Sequence, residues 1–86
     1  MPVVAQLPGR MRVVLHTRDH DPPHFHVEQP GREVVMRIAD LAPIHGVLSP
    51  RDMAIVREWA GRHQAELALN WILLRARIEP WTIPYP

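Results

Sequence analysis

The chain has no cysteine and no lysine. Without cysteine there is no disulfide to staple a thin core and no thiolate to hold a metal, which suits the cytoplasm as the expected location. Without lysine, all ten cationic side chains are arginine. Each offers a planar fork to carboxylate or phosphate where lysine would offer a point charge. Long apolar runs are missing as well. None approaches the ~20 residues that cross a bilayer. Residues 1–20 hold no uninterrupted apolar stretch behind a basic start, so no secretory leader is expected. A strong excess of one charge is also absent. A formal net charge of +1 argues against a dedicated nucleic-acid binder driven by phosphate neutralisation, while leaving room for a local basic patch. At 86 residues the chain makes one small domain. A domain of this size buries only about 60–65% of its unfolded surface, which favours a helper such as a homodimer contact, a metal or a partner protein.

Two turn signals stand out, Leu7-Pro8-Gly9-Arg10 and Gln29-Pro30-Gly31-Arg32. Proline followed by glycine suits the central positions of a type II turn, because glycine tolerates the positive φ needed at the second. Each is followed by an alternating apolar run, MRVVLHT and EVVMRIA. The pattern predicts four strands, about 2–7, 10–17, 24–29 and 32–38, in an antiparallel meander. Period-two alternation puts Met11, Val13, Leu15, Phe25, Val27, Val34, Met36 and Ile38 on the core side. The other face then carries Arg12, Val14 and His16, then His24, His26 and Glu28, then Glu33, Val35 and Arg37, a mixed set that suits a solvated face. Arg12 and Arg37 there have Glu28 and Glu33 as candidate cross-strand partners.

Past the connector APIHGVLSP the period changes. Ser49 is a good N-cap, Pro50 suits the first helical position, and Asp52 stands three residues after Ser49, as in a capping box with a short acid. Met53, Val56, Ala60, His63, Leu67, Trp71 and Leu74 then recur every three or four residues, predicting a helical segment over about 50–77. Gly61 interrupts the stripe and is expected to break or bend it into two helices, roughly 50–61 and 63–77, since glycine costs about 1 kcal/mol in a helix interior. The apolar stripe has to cover the apolar face of the sheet. The fold expected is therefore a two-layer α+β domain over 1–78. A proline-rich apolar tail follows, 79–86, in which three prolines deny Trp81, Ile83 and Tyr85 most of a β-ladder. These three residues either dock the tail on its own domain or form an arm for a partner or a second copy.

The chemistry concentrates in DHDPPHFHV, residues 19–27. His24 and His26 are two apart on a predicted strand and face the same way, with α-carbons roughly 6.5–7 Å apart. Their imidazoles can converge on one divalent transition metal such as zinc, whose Zn–N bonds are about 2.0–2.1 Å. Glu28 is about 13 Å from His24 along a flat strand, too far to join both. The third ligand is expected from the turn, with His20 as the choice and Asp19 or Asp21 as alternatives, or from His16 on the preceding strand. Acid–base chemistry without a metal is the competing use, with His24 and His26 as proton carriers and Arg12 steadying a phosphate-like transition state. The plain alternative is a turn and recognition surface, since aspartate and proline are turn makers. His45 and His63 are expected to be structural, and Trp59 and Trp71 to be core or interface anchors.

The stretch DHDPPHFHVEQPGREVVMRI, with SPRDMAIVREWAGRHQAELALNW behind it, resembles a family of short bacterial proteins, domain-of-unknown-function family 4160. The likeness covers about residues 1–75. Its most specific part is the proline pair followed by His24-Phe25-His26-Val27, and Glu58-Trp59 and Trp71 also fit. The family carries no established activity. Its members are often encoded beside another small protein in a toxin–antitoxin-like arrangement. The resemblance therefore implies a protein–protein interaction component, with the neighbour's product as its partner. A small nuclease or metal-dependent hydrolase on the His24/His26 face is the alternative, and a DNA-binding autoregulator is a third reading.

Overall fold

The computed structural model describes residues 2–86. Five strands form one antiparallel sheet in chain order: β1 Val3–Leu7, β2 Met11–Val14, β3 His24–Gln29, β4 Arg32–Arg37 and β5 Pro43–Gly46. Two helices follow, α1 Pro50–Arg62 and α2 Gln64–Arg75. Among the described residues no helix is long and apolar enough to cross a membrane.

The two proline–glycine turns sit where the sequence places them, with Gly9 at φ +81° and Gly31 at φ +75°. Leu7 pairs with Met11 across the first and Gln29 with Arg32 across the second. That register sends Met11, Val13, Phe25, Val27, Val34 and Met36 to the core side, each with no exposed surface. Val56, Trp59, Ala60, Leu67, Trp71 and Leu74 of the helices close over them. Burying side chains of this size stabilises the fold by roughly 1.5–3 kcal/mol each.

Two expectations need correction. There are five strands, not four. The connector after β4 contains β5, whose four residues are all exposed, so no apolar alternation marks it. The helical segment is broken near Gly61 as expected, with His63 (φ −123°, ψ 21°) between α1 and α2. Gly61 lies on the surface inside α1, with nothing within 4 Å of the position a Cβ would take. The second face of the sheet is also less solvated than its mixed composition suggests. Val14 is 0% exposed, His24 7% and Val35 9%.

The helix start is as read: the Ser49 hydroxyl accepts from the Asp52 amide at 3.2 Å. The reciprocal half of the capping box is replaced, because the Asp52 carboxylate instead accepts from Gln29 Nε2 at 3.2 Å. That contact ties α1 to the β3–β4 turn.

The tail lies against its own domain. Ile83 is 2% exposed and its amide donates to the Val4 carbonyl at 2.7 Å. Asn70, buried on α2, holds the Trp81 peptide from both sides: its Nδ2 donates to the Trp81 carbonyl at 2.9 Å and its Oδ1 accepts from the Trp81 amide at 2.8 Å. Trp59 Nε1 donates to the Pro84 carbonyl at 2.9 Å. Trp81 and Tyr85 themselves face outward, 63% and 47% exposed.

Candidate metal centre

The sheet register assembles the centre. Val14 pairs with His26, and His26 with Val35, so His26 projects from the middle of the sheet on the face away from the helices. His16, two residues past the end of β2, comes to the same place. The His16 and His26 rings meet edge to face, 4.2 Å between centroids and at 89°. The loop from Thr17 to Pro23 then folds Asp19 back over both. The backbone N–H of Asp19 donates to the His16 carbonyl at 3.3 Å, and its own carbonyl accepts from Arg75 Nη1 on α2 at 2.8 Å.

Asp19 Oδ2 lies 3.0 Å from His24 Nε2 and 3.1 Å from His26 Nε2. Two imidazoles thus converge on one carboxylate oxygen. The rings have further partners. His24 Nδ1 donates to the Pro22 carbonyl at 2.7 Å, and His26 Nδ1 lies 3.2 Å from Glu33 Oε2. An imidazole donates from both nitrogens only when doubly protonated.

His16, Asp19 and His26 each bring a ligand atom within 4.8 Å of the other two, and all three are partly buried. Ligands on a tetrahedral ion with bonds near 2.05 Å stand about 3.3 Å apart, so side-chain rotation closes the remaining distance. Two imidazoles and a carboxylate are donors that zinc, iron, nickel and copper accept. His24 stands beside them and is more deeply buried. Its Nδ1 is fixed on a backbone carbonyl and its Nε2 turned inward, the arrangement that orients metal-ligating histidines. Trp71 packs on it at 5.3 Å between ring centroids.

Burial alone would raise the Asp19 pKa. The hydrogen bond from His26 and the fields of His24, His16 and His26 outweigh it and hold the carboxyl below its ordinary range.

The other candidate residues are placed as follows. His20 is exposed, with Nδ1 3.2 Å from the Asp21 carbonyl, and lies outside the group that His16, Asp19 and His26 form. Arg12 donates to Glu28 at 2.8 Å as its cross-strand neighbour, farther along the sheet than His26. Arg37 pairs with Asp40 at 2.7 Å and not with a strand glutamate. Glu33 instead faces His26. Arg75 was not singled out in the sequence. Its spacing from Trp71, one helical turn, is the signal that places both at the same end of α2, with the guanidinium 5.3 Å from the Trp71 ring centroid.

The family model described as "Domain of unknown function (DUF4160)" matches residues 11–72, which spans β2 through most of α2 and includes every residue of the centre except Arg75. No curated protein and no solved structure matches the chain.

Proposed function

The chain belongs to the DUF4160 family, and we propose that it is a metal-binding domain whose centre, His16, Asp19 and His26 with His24 beside them, holds a divalent transition ion such as zinc and serves hydrolytic chemistry. The reading rests on one observation, the three ligand atoms of partly buried residues gathered within 4.8 Å of one another. Three protein ligands with an open position are the pattern of catalytic zinc sites, where the ion lowers the pKa of a bound water to about 7. Around it, Glu33 accepts from His26 and orients the ring, and the Pro22 carbonyl does the same for His24. The test is thermal unfolding with and without added zinc, nickel or manganese. Binding to the folded state alone raises stability by about 2.7 kcal/mol at a hundredfold excess over Kd. A melting temperature raised by metal, restored by chelator, and unresponsive in His26→Ala supports the reading. Equal curves for all three ions and both proteins contradict it.

A second reading keeps the interaction role in a toxin–antitoxin-like pair. It is supported by the outward side of α2 and the tail, where Ile72 is 62% exposed, Ile78 53% and Trp81 63%. Exposed apolar side chains of this size are candidates for a contact with a partner. Co-purification with the neighbouring gene's product, lost in Ile72→Glu/Trp81→Glu and kept in His26→Ala, distinguishes this role from the first.

A further inference from the structure

We propose that the cleft beside Asp19 binds the phosphoryl group of a phosphate ester through Arg18, Arg75 and Arg77. The assignment names the ligand class of the metal centre and so rests on that reading. The cleft has a volume of about 610 Å³. Thr17, Arg18 and Asp19 of the β2–β3 loop form one wall, and Arg75, Arg77 and Glu79 at the end of α2 are among the residues of the other. Asp19 is common to both features, so a ligand in the cleft reaches the ion that Asp19 would hold.

Three guanidinium groups and two carboxylates, Asp19 and Glu79, line one opening. Among the described residues the ion pairs use Arg12, Arg37 and Arg62, and none of the three cleft arginines. Arg75 is fixed in place. One of its five N–H donors is taken by the Asp19 carbonyl at 2.8 Å, and its guanidinium lies against Trp71. Its remaining donors are available to an anion.

Basic residues at a helix C-terminus also answer the helix dipole, but that accounts neither for Arg18 on the opposite wall nor for Arg77. The end of α2 is already closed by its own backbone, with the amides of Ala76, Arg77 and Ile78 donating to the carbonyls of Ile72, Leu74 and Leu73. Arg77 sits at φ +61°, the left-handed position that glycine fills without steric cost. Three forks match the several oxygens of a phosphate better than the two of a carboxylate.

The test is calorimetric titration of zinc-treated and EDTA-treated protein with two probes, inorganic phosphate and a single-stranded hexathymidylate. Wild type is compared with Arg18→Gln/Arg77→Gly. Arg77→Gly relieves the left-handed backbone and Arg18 is exposed, so the variant is expected to melt no lower than wild type and to keep its zinc content. The proposal expects phosphate binding that weakens at least tenfold in the variant. If the oligonucleotide competes with phosphate and shows the same loss, the source is a nucleic-acid phosphodiester. Phosphate binding without oligonucleotide binding points to a small phosphate ester. Arginine-dependent phosphate binding in protein that takes up no zinc keeps the cleft and removes the metal centre. Zinc uptake with no binding of either probe, or with equal binding in the variant, overturns the phosphate proposal and leaves the metal centre standing. Failure to bind zinc or either probe overturns both.

Discussion

Asp19 and His24 meet through one atom pair, Oδ2 to Nε2 at 3.0 Å, while the far side of the same imidazole is pinned at 2.7 Å to the Pro22 carbonyl. The proline pair therefore does more than turn the chain. Its carbonyl settles which nitrogen of His24 looks inward, and the loop that carries it brings Asp19 to the place where His26 also points. The centre is a product of loop and strand together.

The lowered Asp19 pKa has a consequence for acid stability. A carboxyl whose folded pKa lies below its unfolded value of about 3.9 contributes stability that is present above that value and lost as pH falls through the folded one. Burial works against the shift; the His26 hydrogen bond and the fields of the three histidines produce it. Denaturant midpoints of chelator-treated protein between pH 2 and pH 6 are expected to fall more steeply for wild type than for Asp19→Asn. Parallel curves would contradict the coupling.

His63 carries the opposite sign. Its hydrogen bond to Glu66, 2.5 Å, is the largest cause of a raised pKa, opposed by burial and aided by the contact with the Pro86 carbonyl. The stabilisation is complete below the unfolded value of about 6.5 and is lost as pH rises through the folded one. Melting temperatures measured from pH 6 upward should decline in wild type and much less in Glu66→Gln. An equal decline in both would assign the effect elsewhere.

Asn70 is the clasp of the tail. Asn70→Ala removes both hydrogen bonds to the Trp81 peptide, at a cost of about 1–3 kcal/mol. Hydrogen exchange at the Ile83 amide, which is bonded to Val4, should quicken before the rest of the sheet does. Unchanged exchange at Ile83 would show that Trp59 and Ile83 hold the tail without Asn70.

Two glycines separate conformational strain from close packing. Both have positive φ, Gly31 at +75° and Gly46 at +78°. A Cβ on Gly31 meets nothing within 4 Å, whereas one on Gly46 would lie 2.1 Å from the Glu33 carbonyl oxygen. Gly31→Ala is expected to cost only the left-handed backbone term, about 1–2 kcal/mol. Gly46→Ala adds overpacking of about 1–3 kcal/mol, a large share of the total stability of a small domain. Similar denaturant midpoints for the two variants would contradict the close approach of β5 to β4.

Features written in local pattern were legible in the sequence. Ser49 and Pro50 mark the start of α1, the proline–glycine pairs mark two turns, and alternation marks the core side of β2 to β4. Features that depend on distant partners were not. Nothing near β5 in sequence marks it, because a short exposed edge strand that begins with proline and ends with glycine needs no apolar alternation. Asn70 gains its meaning only from Trp81, eleven residues on. In the centre, His26 was legible from its place on a strand, and His16 and Asp19 could be named as candidates. Local pattern does not separate His20 from Asp19, Asp21 or His16 as the third ligand. The loop turns Asp19 inward and leaves His20 at the surface.

The most direct measurement is the metal content, by elemental analysis, of protein purified without a histidine tag, for wild type and for His16→Ala/His26→Ala. The expected result is near-stoichiometric zinc, iron, nickel or manganese in wild type and none in the double variant, with both proteins folded. Metal-free wild type that takes up no ion from excess zinc, nickel, manganese or ferrous iron, or equal metal in wild type and variant, would contradict the assignment of His16, Asp19 and His26 as a metal centre.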